Sequence, residues 1–382
     1  MVFDFKSLWT SFRTGAHGVL RRHPVELLLA AGLSAALVLC YECDWELDVR
    51  LAAVGWGAVL LLAVNLLTGR TPWRRLYWVA WAPLVPLALW PGFGAWLESA
   101  RGAITVGLLT PLALLACRRA VANRRFVFDT VILLRAALLA LLFAYVALGL
   151  FQAILWSAAY IFGFGGAAWV EHAAVDTWIV TSTFVVPLLF MMMLDRWERS
   201  EVHGTRILEV LLDWIVSPAV LIYAAILYLY AFKILVTWSL PEGGVAYLVF
   251  GFTSVALAVK ALQELLGRRI YGWFYDRLSL FALPAAVLFW IGTLRRVGEY
   301  GLTEPRVYLV VCGAVMTFCL AIFLSRRTGR YLWVVLFAML LFAAVAYVPA
   351  LEPGRVAVRS QQARAERIAR SLDRLDSAGR LV

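Results

Sequence analysis

Residues 295–308 read RRVGEYGLTEPRVY, a short connection between two apolar stretches. It holds three guanidinium groups (Arg295, Arg296, Arg306), two carboxylates (Glu299, Glu304) and a phenol (Tyr300). Guanidinium forks suit a lipid phosphate, a glycan or a carboxylate. A second cation, Lys233, lies inside the apolar run LYLYAFKILVTWSLPEG (227–243), eight residues before Pro241. At the helical rise that is about 12 Å below the end of the run. A charge at such depth is costly in lipid and marks pairing or function. Together Lys233, Arg295, Arg296, Glu299, Tyr300, Glu304 and Arg306 form the candidate ligand-binding set, with no catalytic residue assigned.

Each of these has a plainer reading. Lys233 could pair with a polar group on a neighbouring helix or snorkel part-way to the interface. The connection reads well as a helix stop followed by a helix start. Arg295 and Glu299 are an i,i+4 pair, Gly301 ends one helix, and Thr303 caps the next, with Glu304 and Pro305 in its first turn. That account covers the Gly, Thr, Glu and Pro better than it covers three arginines. Other charges inside apolar runs are read as structural: Arg135 pairing with Asp129, Lys260 snorkelling, and Asp213 on an interfacial turn before a kink at Pro218.

The remaining motifs are weak. Cys40-Tyr-Glu-Cys43 is a CxxC at a helix end, read as ordinary cysteines, and the five cysteines make no disulfide framework. His172 beside Glu171 is an acid–base pair without a nucleophile. The four histidines show no metal-ligand spacing, so no metal and no cofactor is expected. No P-loop, HExxH or GxSxG motif occurs. An enzyme is the least favoured class, although dispersed carboxylates such as Glu299, Glu304 or Glu171 could act on lipid-linked or envelope glycans.

The elements that must position these residues are membrane helices. The chain has 382 residues, 63% of them hydrophobic and 15% charged, with a mean hydropathy of +0.82. Soluble domains sit nearer half apolar and a quarter charged. The expected fold is an all-α polytopic bundle of about 11 spans, between 10 and 12. They fall at 25–41, 51–67, 76–90, 103–117, 136–160, 178–194, 211–237, 245–262, 278–294, 307–324 and 331–349. The pair 76–90 and 103–117 is short enough to be two tilted helices or one re-entrant hairpin. No cleavable signal peptide is read at the N-terminus.

With the N-terminus inside, the inner segments carry 20 Lys and Arg and the outer loops 5, three of those in 295–306. That bias sets the N-terminus in the cytoplasm and the arginine-rich loop outside. The net charge of +11 is thus a topology signal, with no nucleic acid implied. The expected organisation is a cytoplasmic segment 1–24, a transmembrane domain 25–350, and an external amphipathic tail 351–382. In the tail, Ala365, Ile368, Ala369, Leu372 and Leu375 share one face, suited to anionic headgroups or to a partner. Expected partners are membrane lipids and an envelope protein, met through the loop 295–306 or the tail 355–378.

LYLYAFKILVTWSLPEG, followed by VAYLVFGF, and RRVGEYGLTEPRVY together resemble the bacterial integral membrane family known as domain of unknown function 4153. Its members carry a similar tyrosine-rich helix with a lysine and an "LP-G" turn, then an "R-x-x-EYG-T-x-x-R" connection. The likeness is strongest over about 210–325. It implies a multi-pass protein of the bacterial cytoplasmic membrane and adds weight to Lys233, Glu299, Tyr300, Thr303 and Arg306, without implying an activity. Three functions are expected in order: a transport-like or lipid- and solute-handling protein with an outward-facing basic polar pocket, a structural or regulatory component of a cell-envelope complex, and a membrane enzyme.

Overall fold

The computed structural model describes residues 5–46, 48–69, 71–163, 167–197, 206–237, 245–325 and 327–371. The "LP-G" turn at 238–244 and the tail beyond Ser371, including Leu372 and Leu375, lie outside them. Among the described residues every regular element is helical. In lipid a helix satisfies its own backbone polar groups, which is what a chain this apolar requires. Among the described residues eight helices are long and apolar enough to cross a membrane, and Tyr331–Tyr347 is a shorter apolar one. This is an all-α, polytopic membrane protein.

The chain divides into two compact units. The first holds α1 (Phe5–Arg22), α2 (Pro24–Glu42), α3 (Leu51–Thr68) and the short α4 (Arg74–Tyr77), α5 (Leu84–Leu89) and α6 (Phe93–Glu98). It continues with α7 (Ala100–Cys117), most of α8 (Asn123–Ile161) and α9 (Ala168–Trp197). The run 76–90 is therefore two short helices, α4 and α5, joined by turns. Pro83 and Pro86 remove the backbone donors that a continuous helix would use there. Within this unit α2 packs along α3, α3 along α7, and α1 against the end of α9. Gly57 of α3 lets α5 approach, since a methyl group there would come within 2.6 Å of Leu84.

The second unit holds α10 (206–237), α11 (Val245–Leu262), the short α12 (Gly272–Asp276) and α13 (Leu278–Phe281), and α14 (Leu283–Tyr300). It ends with α15 (Glu304–Ile322), α16 (Tyr331–Tyr347) and α17 (Pro353–Ser371). Its core joins Val220, Ala224 and Leu227 of α10, Val249, Phe252 and Ala256 of α11, and Phe289 of α14. Gly313 of α15 makes room for the Phe289 ring.

Three of the long helices widen into a π-turn, at Thr105–Leu109, Thr181–Val185 and Leu211–Val216. Each turn ends two residues before a proline, at Pro111, Pro187 and Pro218. A proline inside a helix offers no N–H and crowds the carbonyl four residues back. Widening the preceding turn relieves the clash without breaking the helix. In α7 a freed carbonyl is recovered, since the Thr110 hydroxyl donates to the Thr105 carbonyl at 2.8 Å. Asp213 consequently sits on a wide turn inside α10 and is buried.

Candidate functional site

The candidate ligand-binding residues read from the sequence fall in the second unit. The α14–α15 connection is closed by its own backbone and by α17. α14 stops at Tyr300 with Gly301 at φ 72°, and Thr303 stands at the N-cap of α15 without a side-chain capping bond. Arg295 Nε donates to Glu299 Oε1 at 2.7 Å, while Arg306 Nη1 donates to the Gly301 carbonyl at 2.7 Å and its guanidinium covers the Tyr300 ring. From α17, Gln361 Nε2 donates to the carbonyls of Tyr300 and Leu302 at 3.0 and 3.1 Å. Arg364 Nη1 donates to the Tyr300 carbonyl at 3.3 Å, and Ser360 Oγ accepts from Leu302 N–H at 2.8 Å. Glu304 lies against Gly354 in the first turn of α17, and Arg296 is half-buried.

Lys233 is exposed on α10, and no hydrogen bond or ion pair joins it to the loop among the described residues. Two pairings and one snorkelling lysine expected from the sequence are different in the structure. Asp129 pairs with Arg118 at 3.3 Å, both buried, while Arg135 lies over the Trp197 ring at 4.3 Å. Lys260 donates to the Tyr275 carbonyl instead of reaching outward. His172 meets Glu42 of α2 at 3.0 Å and leaves Glu171 exposed. In each case the helix packing supplies a nearer partner than the chain neighbours do.

The most concentrated polar site lies in the first unit. Five segments bring their ends together there: α1, α2, α3, α4 and α9. His23, in the break between α1 and α2, is 5% exposed and stands between two carboxylates. Its Nδ1 is 3.5 Å from Glu26 Oε1 and its Nε2 is 3.3 Å from Asp195 Oδ1. Arg22 Nη1 reaches the same Asp195 oxygen at 3.2 Å, and Tyr77 donates its hydroxyl to Glu26 Oε2. Asn65 Nδ2 is 2.8 Å from the Arg22 carbonyl, 2.9 Å from Glu26 Oε1 and 3.0 Å from His23 Nδ1.

Burial alone would lower the His23 pKa, but the hydrogen bonds and charges of Asp195 and Glu26 outweigh it and raise it to about 9. At neutral pH His23 is therefore an imidazolium donating from both ring nitrogens. Asn65 has two hydrogens for three acceptors. With the ring charged, they serve the Arg22 carbonyl and Glu26, leaving Nδ1 to donate.

Two hollows open on this cluster. Asp195 lines a groove of about 550 Å³ between α1 (Thr14, Gly15, Gly18) and α9 (Leu189, Met192, Arg196). Its Oδ2 is buried with no hydrogen-bond partner among the described residues. Glu26 lines a separate cleft of about 470 Å³ whose walls are apolar side chains of α2, α3, α7, α8 and α9. Ser182, Thr183 and Pro187, at the π-turn of α9, form part of its wall. The volume falls in the range of sites that hold small molecules.

In the sequence His23 stands out only as one of four scattered histidines, and Glu26, Asn65, Tyr77 and Asp195 do not stand out at all. The overlooked signal was that Glu26 is the second residue of an apolar run and Asn65 lies near the end of the next, so antiparallel packing brings them level.

The family model described as "Domain of unknown function (DUF4153)" matches residues 27–378. The chain belongs to the DUF4153 family. It is 31% identical over 258 residues, 66% of its length, to uncharacterized protein PM1469 of Pasteurella multocida (strain Pm70). The aligned part is 44% of that protein, so the chain matches less than half of its relative's length. No solved structure matches. The family match takes in Asn65, Tyr77 and Asp195 as well as the arginine-rich loop, and begins just after Glu26.

Proposed function

We propose that this DUF4153 protein is a transport-like, solute-handling protein of the bacterial cytoplasmic membrane that takes an amphiphilic molecule into the cleft of its first unit. The observation that supports this reading is the cleft itself: about 470 Å³, walled by apolar side chains and ending at Glu26. An apolar cleft with one placed polar group orients a ligand by its head and holds it by its body. The arginine-rich connection and Lys233 are read as a basic, outward-facing surface of the same protein, suited to phosphate or carboxylate groups. A second reading, a structural or regulatory component of an envelope complex, draws on the way α17 clasps that connection through Ser360, Gln361 and Arg364.

The test uses N-phenyl-1-naphthylamine, an uncharged apolar fluorophore, titrated against purified protein with empty micelles subtracted. The transport-like reading expects saturable binding near one per chain, weakened at least tenfold by Ala58→Trp, which fills the cleft. Unsaturable uptake, or binding indifferent to Ala58→Trp, refutes the cleft as the binding site and leaves the structural reading in front.

A further inference from the structure

Resting on that reading, we infer that the cleft selects lipophilic cations and that a bound cation takes the place of the His23 positive charge opposite Glu26, so that uptake of the cation is coupled to release of a proton toward the Asp195 groove. The argument begins with charge complementarity. Among the described lining residues of the cleft, Glu26 is the one ionisable group, and Ser182 and Thr183 are the only hydroxyls. An anion entering would meet that carboxylate, and no cationic side chain is among the described residues that line the cleft. A cation meets its counter-charge there.

Glu26 is already spoken for. Its oxygens take Tyr77, Asn65 and the His23 ring. Of these the ring is the longest contact, at 3.5 Å, and the one whose charge can leave. A carboxylate this buried holds one neighbouring positive charge at low cost and two at high cost. The incoming cation and the ring proton therefore compete. The exchange balances: one cation enters, one proton leaves His23, and the charge of the site is unchanged.

The structure provides for both states of the ring. With the ring charged, Nδ1 donates to Glu26. After the Nε2 proton passes to Asp195, Nδ1 keeps its hydrogen toward Glu26, so the neutral ring stays beside the carboxylate without its charge. The proton's way out is on the opposite side. His23 Nε2 faces Asp195 Oδ1, and Asp195 is one of the residues that line the groove. The groups facing His23 are Arg22 on α1, Glu26 on α2, Asn65 on α3, Tyr77 on α4 with Arg74 beside it, and Asp195 on α9.

The probes are tetraphenylphosphonium and tetraphenylborate, equal in shape and opposite in charge, with equilibrium dialysis against purified protein as readout. Tetraphenylphosphonium should bind at least tenfold more tightly than tetraphenylborate at pH 8. With one proton displaced, its affinity should rise about tenfold per pH unit between pH 6 and 8. Glu26→Gln should abolish the charge preference, and His23→Gln should flatten the pH slope. Both variants are checked for the uncharged fluorophore, whose retention shows an intact cleft. If the fluorophore binds but the two ions bind alike, or the wild-type slope is flat, the cleft is a lipid-chain site without charge selection and the inference is overturned. If the fluorophore does not bind the wild type, it is the earlier reading that has failed.

Discussion

At the scale of single residues, His23 is the group whose environment departs furthest from what its place in the chain suggests. Its pKa of about 9 lies above the ordinary histidine value of 6.5 because two carboxylates face it. A pKa raised in the folded state means that the folded state holds the proton more tightly. The stabilisation is complete below about pH 6.5 and is lost as pH rises through about 9. The shift corresponds to about 3 kcal/mol across that window. Thermal unfolding of the purified protein from pH 6 to 9.5 should show the wild type losing stability relative to His23→Gln as pH climbs. Parallel curves would mean that the ring is not held as an imidazolium. Of this site only His23 was noticed in the sequence, because Glu26, Asn65 and Asp195 are 39 and 130 positions apart and meet only through antiparallel packing. The arginine-rich connection was legible because its partners Arg295 and Glu299 lie one turn apart. Its third neighbour, α17, was not.

At the scale of elements, the fold class followed from apolar length alone, and the helix stop at Gly301 followed from residue type. What length and hydropathy could not distinguish was a continuous run from a broken one. The run 76–90 is broken by closely spaced Pro83 and Pro86, while the runs through Pro111, Pro187 and Pro218 continue by widening one turn. The amphipathic reading of α17 also shifts. Ile368 is exposed and Ala369 is buried, and the contacts that fasten the helix are polar ones from Ser360, Gln361 and Arg364, one and two turns before Ile368. Those contacts depend on the backbone at Gly301. With φ 72° and ψ 175° it occupies a region open almost only to glycine, and a methyl group there would come within 2.9 Å of Gln361 Nε2. Gly301→Ala should cost about 1–3 kcal/mol locally and loosen α17. Trypsin should then cut at Arg355, Arg359 and Arg367 faster than in the wild type. Gly298→Ala, where a methyl group meets open space within α14, should leave the cleavage rate alone. Equal rates for the two variants would separate α17 from the connection it appears against.

At the scale of the whole molecule the question is which way the chain sits in the bilayer, since that decides where a released proton goes. The charge distribution argues for the N-terminus inside, with 20 cationic residues in the inner segments and 5 in the outer loops. On that orientation Arg196, beside the Asp195 groove, belongs to the cytoplasmic side, and Glu299 belongs to the outer one. With native cysteines removed, a cysteine at 299 should react with a membrane-impermeant thiol reagent in intact cells, and a cysteine at 196 only after the membrane is opened. Val287, exposed on the side of α14, is a lipid-facing control that should stay unlabelled in both conditions. A cysteine at 233 adds a depth gauge, because labelling from outside would require water to reach about 12 Å into the membrane. Labelling at 196 in intact cells would invert the orientation. The exchange at His23 would then deliver its proton outward, and the arginine-rich connection would face the cytoplasm in keeping with the charge rule it otherwise breaks. Those three arginines would then lie inside, but the 20 cationic residues of the other segments would lie outside, against the rule that sets the orientation.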